Sequence, residues 1–67
     1  MNRQLIAKRL IDLRGKRTQE EVSKSIGVSK SALSMYETGQ RIPRDEVKVK
    51  ISAFYGKSIQ SIFFNPQ

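Results

Sequence analysis

The chain has 67 residues and carries thirteen lysines and arginines against six aspartates and glutamates, a formal net charge of +7. It contains no cysteine and no histidine, which excludes disulfides, zinc sites built from the usual ligands and general acid–base chemistry by histidine. The length favours a single domain over residues 1–67, and the charge predicts a partner such as DNA, RNA, an anionic membrane surface or an acidic protein.

The residue types point away from catalysis and from membrane insertion. Six carboxylates without histidine, cysteine or a glycine-rich phosphate loop leave too few groups to assemble a catalytic site. We therefore expect no enzyme activity, no cofactor and no small-molecule substrate. The first residues lack the apolar run of a signal peptide, and no stretch is long enough to span a membrane. These features favour a cytoplasmic protein.

A first helix is predicted over residues 2–14, with Asn2 available as its N-cap and Gly15 at its end. Its apolar residues recur at helical spacing, which predicts a stripe that faces the core. The stripe consists of Ile6, Leu10 and Leu13, with Leu5 beside it. Ile11 falls off this stripe and is expected to be partly exposed.

Residues 19–39 then predict two short helices that meet at a glycine. Thr18 and Glu21 form a capping-box pattern at the start of helix 2. Apolar side chains one turn apart give this helix a face that can be buried. Gly27 is expected to end it, because glycine adopts a left-handed turn at the least steric cost.

Helix 3 is predicted over roughly residues 30–38, with Ser29 as its cap and Gly39 closing it. One side carries Leu33, Tyr36 and the stem of Glu37, and the other carries Lys30, Ser31, Ser34, Met35 and Thr38. A short turn followed by a helix with a small polar face is the layout that fits the major groove of B-DNA. An ordinary helical hairpin inside a bundle is the alternative.

The remaining residues predict two more helices. Pro43 is expected to start helix 4, because proline is tolerated in a first turn, and Gly56 is expected to end it. Ser58 can cap a last short helix, which Asn65-Pro66 cannot continue. Since every apolar segment has the helical period, the fold is predicted to be all-α, a compact bundle of five helices in which helices 2 and 3 form a helix-turn-helix. The predicted core consists of Leu5, Ile6, Leu10, Leu13, Val22, Ile26, Val28, Leu33, Tyr36, Val47, Ile51, Phe54, Ile62 and Phe63.

The pattern of helices 1 to 4 resembles the phage-repressor and Cro type of helix-turn-helix domain, also called the Xre family. The residues that carry the resemblance are Leu13, Arg14, Gln19, Gly27, Leu33, Glu37, Gly39 and Pro43. The resemblance runs from about Leu5 to Phe63 and implies a sequence-specific transcriptional regulator, a repressor, that places helix 3 in the major groove of an operator. Ser23 departs from the alanine that is usual at its position, and the connection between helices 1 and 2 is shorter than usual.

The resemblance also implies roles for individual residues. Base contacts would come from Lys30, Ser31 and Met35, with Ser34 and Thr38 as secondary candidates. Phosphate contacts would come from Gln19, Arg17, Ser29, Arg41 and Arg44. Arg14 and Glu37 match an ion pair that locks helix 1 to the end of helix 3. The alternative for each charged residue is a solvated surface side chain, and for Ser29 it is a helix cap.

The expected partner is double-stranded DNA with a pseudo-palindromic operator, because family members usually bind as pairs to half-sites about one helical turn apart. We expect a homodimer to use the domain itself, through the C-terminal segment Phe64–Gln67 together with Ile59. The resemblance implies a bacterial or phage-encoded protein that is cytoplasmic and associated with the nucleoid. An antitoxin or partner-binding module of the same fold is the main alternative. RNA binding is a further one, although it favours exposed aromatic residues, and most of the five here have core positions.

Overall fold

Polar residues mark where most of the helices begin. The computed structural model describes residues 2–64, and four of its five helices start at a side chain that accepts a hydrogen bond from the first turn. These N-caps are Asn2, Thr18, Ser29 and Ser58. The capping box forms as predicted: the Thr18 hydroxyl accepts from the backbone N–H of Glu21, and the Glu21 carboxylate accepts from the backbone N–H of Thr18. Local sequence therefore sets the helix starts.

The helices are α1 (Arg3–Arg14), α2 (Gln19–Ile26), α3 (Lys30–Glu37), α4 (Asp45–Tyr55) and α5 (Ile59–Phe63). No strand occurs between residues 2 and 64, and the all-α prediction is confirmed. The radius of gyration of the Cα atoms is 10.6 Å, close to the roughly 11 Å of a folded domain of this length. Within the same residues, no helix combines the length and the apolar character needed to cross a membrane.

Helix α4 begins later than predicted. Arg44 has an extended backbone, with φ −70° and ψ 166°, so the first helical residue is Asp45. Pro43 instead packs inside the molecule, where its side chain is fully buried. The prediction that Pro43 starts the helix was wrong, because the fixed φ of proline suits an extended approach to a helix as well as a first turn.

Side chains from all five helices meet in one core. The buried cluster consists of Ile6, Leu10, Val22, Ile26, Leu33, Tyr36, Ile51, Ile62 and Phe63. Every member was predicted to be in the core, and Ile11 is exposed, as expected. Leu5 was also predicted in the core but is only half-buried and lies outside the cluster. Ala7 is buried instead. At about 100° per residue, Leu5 and Ala7 lie on opposite sides of Ile6 around the helix axis, and the core lies on the side of Ala7.

The burial of two α4 residues predicts that truncating them will lower the free energy of unfolding by very different amounts. Ile51 is completely buried, whereas Val49 is 55% exposed. We expect Ile51→Ala to lower the free energy of unfolding by about 2–5 kcal/mol, because it leaves a cavity in a small core. Val49→Ala is the matched control, with an expected change below about 0.5 kcal/mol. Urea denaturation followed by circular dichroism measures both, and equal losses would contradict this description of the core.

Candidate nucleic-acid interface

Backbone hydrogen bonds fix the turn between α2 and α3. Gly27 has φ 87° and ψ 33°, a left-handed conformation that favours glycine. The carbonyl of Ser23 accepts from the backbone N–H groups of Gly27 at 2.8 Å and Val28 at 3.0 Å. The Ser23 hydroxyl donates to the carbonyl of Glu20 at 3.0 Å, so the buried serine has its own local partner. Because Ser29 then caps α3, the two helices are joined by a short, hydrogen-bonded turn.

Helix α3 has a buried side and an open side. Its buried residues are Leu33, Tyr36 and Glu37. On the other side, Lys30, Ser31, Met35 and Thr38 are exposed and Ser34 is half-buried. We call these last residues the open flank of α3. All candidates for base contacts thus share one surface, and no other helix of the described chain covers it. An uncovered, small and polar helix face is what insertion into the major groove requires.

The hydroxyl of Thr38 is engaged at the end of the open flank. It donates to the carbonyl of Ser34 at 3.0 Å and lies 3.3 Å from that of Met35. It also accepts from Nε2 of Gln40 at 2.9 Å. The backbone N–H of Gln40 donates to the carbonyl of Met35 at 3.0 Å. Gln40 was not predicted as a site residue, yet it is held beside the open flank. Its place directly after Gly39 is the available signal in the sequence.

Two candidates for phosphate contacts have partners within the protein. Nε2 of Gln19 donates to Oε1 of Glu37 at 2.9 Å. The Ser29 hydroxyl accepts from the backbone N–H of Ala32 at 3.0 Å. Gln19 keeps a second amide hydrogen and Ser29 keeps its hydroxyl hydrogen for an outside acceptor. Both phosphate roles therefore stay predictions.

Arg17 packs on α4. Its guanidinium carbon lies 5.4 Å from the ring centroid of Phe54 and 5.9 Å from that of Tyr55, distances at which cations are attracted to aromatic faces. One of its N–H groups also donates to the carbonyl of Leu13 at 3.3 Å. The short α1–α2 connection is thereby held against α4, and a phosphate contact from Arg17 would have to form from this position.

Arg41 and Arg44 lie in the connection from α3 to α4, and both are exposed. Nη1 of Arg44 lies 3.7 Å from Oε1 of Glu46, and an exposed pair of this kind contributes little free energy. Arg41 has no salt bridge to any residue between 2 and 64. The two guanidinium groups are consequently available to an external anion.

The structure brings Arg14 and Glu37 together. Nε of Arg14 donates to both carboxylate oxygens of Glu37, at 2.9 and 3.1 Å. The Glu37 side chain is only 2% exposed, whereas that of Arg14 is 21% exposed. The hydrogen bond to Glu37 raises the pKa of Arg14 above its usual value. An arginine is charged at ordinary pH even without this partner. The pair joins the end of α1 to the end of α3.

A buried phenol lies near this pair. The hydroxyl of Tyr55 is sealed from solvent and has no hydrogen-bond partner in the described chain. Burial raises the pKa of Tyr55 above 10.0 because it disfavours the phenolate, and the negative charge of Glu37 acts in the same direction. Tyr55 is therefore neutral at ordinary pH, and its ring packs edge-on against that of Phe54 at a centroid distance of 5.1 Å.

Comparisons with known proteins agree with this geometry. The helix-turn-helix family model matches residues 6–62. The chain is 37% identical over 60 residues to the cryptic phage CTXphi transcriptional repressor RstR of Vibrio cholerae, covering 87% of this chain and 54% of that protein. It is also 37% identical over 46 residues to the uncharacterized HTH-type transcriptional regulator MJ0272 of Methanocaldococcus jannaschii, covering 69% of this chain and 70% of that one. The chain thus spans about half the length of the repressor. No solved structure matches it.

The buried ion pair predicts a large cost when one partner is removed. We expect Arg14→Met to lower the free energy of unfolding by about 3 kcal/mol, because it leaves the Glu37 carboxylate buried without its cation. The double variant Arg14→Met/Glu37→Leu should lose less than the single variant, since no buried charge remains.

An exposed ion pair supplies the control. Lys24 and Glu20 lie 3.4 Å apart with side chains 75% and 66% exposed, so Lys24→Met should cost less than about 0.5 kcal/mol. Urea denaturation measures all three variants. The description of Glu37 would be wrong if Arg14→Met were no more costly than Lys24→Met.

Proposed function

Since the chain belongs to the phage-repressor, or Xre, type of the helix-turn-helix family, we propose that it is a DNA-binding transcriptional regulator that represses by occupying an operator. The observation that carries this proposal is the open flank of α3, which is polar, uncovered and held on a hydrogen-bonded turn. The family is typically non-enzymatic, and the protein would act by occupancy rather than by chemistry. As a bacterial or phage-encoded protein, it would act in the cytoplasm, associated with the nucleoid.

The open flank of α3 would make the base contacts that determine which DNA sequence is bound. Lys30 can donate to O6 and N7 of guanine, Ser31 can donate or accept, and Met35 suits the methyl group of thymine. Ser34, half-buried, would contribute less. Thr38 would offer its methyl group, because its hydroxyl is engaged with the backbone and with Gln40.

Affinity would come mainly from phosphate contacts. The net charge of +7 attracts the polyanion irrespective of its sequence. Arg41 and Arg44, exposed in the connection that follows α3, would bind backbone phosphates near that end of the helix. Gln19 and Ser29 would add hydrogen bonds at helix starts, where backbone N–H groups favour anions, and Arg17 would contribute charge from the α1–α2 connection. Phosphate contacts fix position, and base contacts specify sequence.

The protein would bind a pseudo-palindromic operator as a homodimer, because one short helix reads only a few base pairs. Phe64, at the end of α5, is 45% exposed, and Ile59 is half-buried. Nη1 of Arg9 donates to the carbonyls of Ile62 at 3.0 Å and Phe64 at 2.8 Å, which holds this end on α1. Both apolar residues would contribute to the dimer contact, whereas the remainder of the proposed segment, residues 65–67, lies outside the described residues.

Salt dependence tests the electrostatic part of the proposal. If about six phosphates are neutralised, the logarithm of the association constant should fall with the logarithm of salt concentration at a slope of about −5. Bandshift titrations between 50 and 200 mM salt, the range over which such contacts weaken strongly, measure the slope. The DNA would be the sequences selected from a random pool. A nearly flat dependence would contradict the proposal.

Two substitutions separate base contacts from phosphate contacts. Lys30→Ala should relax the base preference at one position of the selected site, by about 1–3 kcal/mol of discrimination. Arg44→Ala should weaken binding to all sequences about equally and make the salt slope shallower by about 1. Repeating the selection with each variant measures preference, and titration measures affinity. Identical effects of the two substitutions would refute the division of roles.

A further inference from the structure

A groove runs along the side of α4 that adjoins α2, the helix on which it packs. It consists of two open cavities, of about 560 and 460 Å³, that meet at Lys50, whose side chain lines both. The larger cavity lies between the α2–α3 turn and the α3–α4 connection, and the smaller one between Ile26 of α2 and Phe54 of α4. We call the two together the α4 groove. None of the open-flank residues of α3 lines it.

Apolar side chains line the α4 groove along its whole length. In the smaller cavity they are Ile26, Ala53 and Phe54, and in the larger one they include Ile42 and Val47. Ala53 is exposed and Ile42, Val47 and Phe54 are half-buried, so part of this apolar surface still contacts water. A partner that covered it would gain the free energy of removing it from solvent.

The charge of the α4 groove is positive. Arg41, Arg44 and Lys50 supply three cations against the single carboxylate of Glu46. That carboxylate lies 3.7 Å from Nη1 of Arg44, whereas Arg41 and Lys50 have no salt bridge to any residue in the range 2–64. A Cβ placed on Gly27 would lie 3.9 Å from Nζ of Lys50, so the ammonium group stands against the α2–α3 turn. The groove therefore favours a negatively charged partner.

Charge and apolar lining together select among possible occupants. A second copy of the chain would bring its own net charge of +7 and be repelled. A DNA backbone matches the charge but has no apolar side chains to place on the lining. An extended peptide would need the edge of a sheet for its backbone hydrogen bonds, and residues 2–64 form no strand. An amphipathic helix with acidic residues beside its apolar face matches both features.

We infer that the α4 groove is a docking site for an acidic amphipathic helix of a partner protein. The helix lays its apolar face on Ile26 and Phe54 and places its carboxylates against Lys50 and Arg41. The inference goes beyond the proposed function, because Lys50 and the apolar lining have no part in the proposed DNA contacts. Since Arg41 is also a proposed phosphate contact, a partner that reaches it would compete with DNA.

Titration with a synthetic helix tests the inference. The probe is a peptide of about fifteen residues, roughly four turns, made of leucine, alanine and glutamate with the leucines at positions i, i+3, i+4 and i+7. At about 0.15 M salt, where distant charges are screened, the peptide should shift the amide NMR resonances of Ile26, Lys50 and Ala53 in the isotopically labelled native chain. Those of the open flank should stay unchanged. A peptide with lysine in place of every glutamate should not bind.

Substitutions on α4 measure the two contributions. Lys50→Ala should weaken peptide binding about fivefold, because it removes an exposed cation that faces the carboxylates. Ala53→Glu should weaken it at least about tenfold, because it places a like charge in the groove. Lys50→Arg keeps the charge and should bind like the native chain. Fluorescence anisotropy of the labelled peptide measures these affinities.

Two matched variants separate the groove from the overall charge. Lys57→Ala removes an exposed lysine that does not line the groove, and Ile11→Glu adds a carboxylate on α1, none of whose residues lines it. Each should change the affinity less than about twofold, because its charge is screened at this distance from the site. Thermal melts confirm that the variants are folded, as expected for changes at exposed positions.

The outcomes decide the inference independently of the proposed function. It is overturned if the peptide does not bind, if its shifts fall on the open flank, or if Ile11→Glu weakens binding as much as Ala53→Glu. A duplex of mixed sequence gives the remaining comparison. If the duplex shifts Ile26 and Ala53 and the peptide does not, the groove belongs to the DNA interface. If the duplex does not bind at all while the peptide behaves as described, the DNA-binding proposal falls and the docking site stands.

Discussion

The carboxylate of Glu37 is the group on which the geometry of the interface depends. Helix α1 reaches it through Arg14 and α2 through Gln19, each at 2.9 Å. A buried charge is costly unless it is both paired and hydrogen-bonded. The carboxylate therefore favours the arrangement in which both partners are in place, and it fixes the end of α3 relative to two other helices. Its main contribution is to orientation, since much of the Coulombic gain offsets desolvation.

The other end of α3 is fixed by the backbone. Gly27 allows the left-handed turn, and Ser29 caps the first turn of the helix. With both ends held and Leu33 buried in the core, α3 presents its open flank without further ordering. A surface that is already ordered loses little conformational entropy on binding, so the proposed reading of DNA by this short helix would need little further ordering.

The basic residues divide according to their partners within the protein. Arg14 is committed to Glu37, and Arg17 is packed on the aromatic rings of α4. Arg41 and Lys50 have no salt bridge in the described chain, and both line a crevice between the α2–α3 turn and the α3–α4 connection. Cations held by the fold stabilise the scaffold, whereas those left exposed remain free to exchange water and counterions for an anionic partner. Net charge alone could not separate these groups.

The sequence by itself determined the five helices, the four side-chain caps and the buried core cluster, because capping and helical periodicity act over a few residues. It placed the base-contact candidates on one face for the same reason. It did not determine that Pro43 would be buried ahead of α4, or that Lys50 would stand beside Gly27. Nor did it show that the hydroxyl of Tyr55 would be sealed from solvent without a hydrogen-bond partner in the described chain. Those features were decided only by the tertiary structure, because each depends on how residues distant in the chain pack against one another.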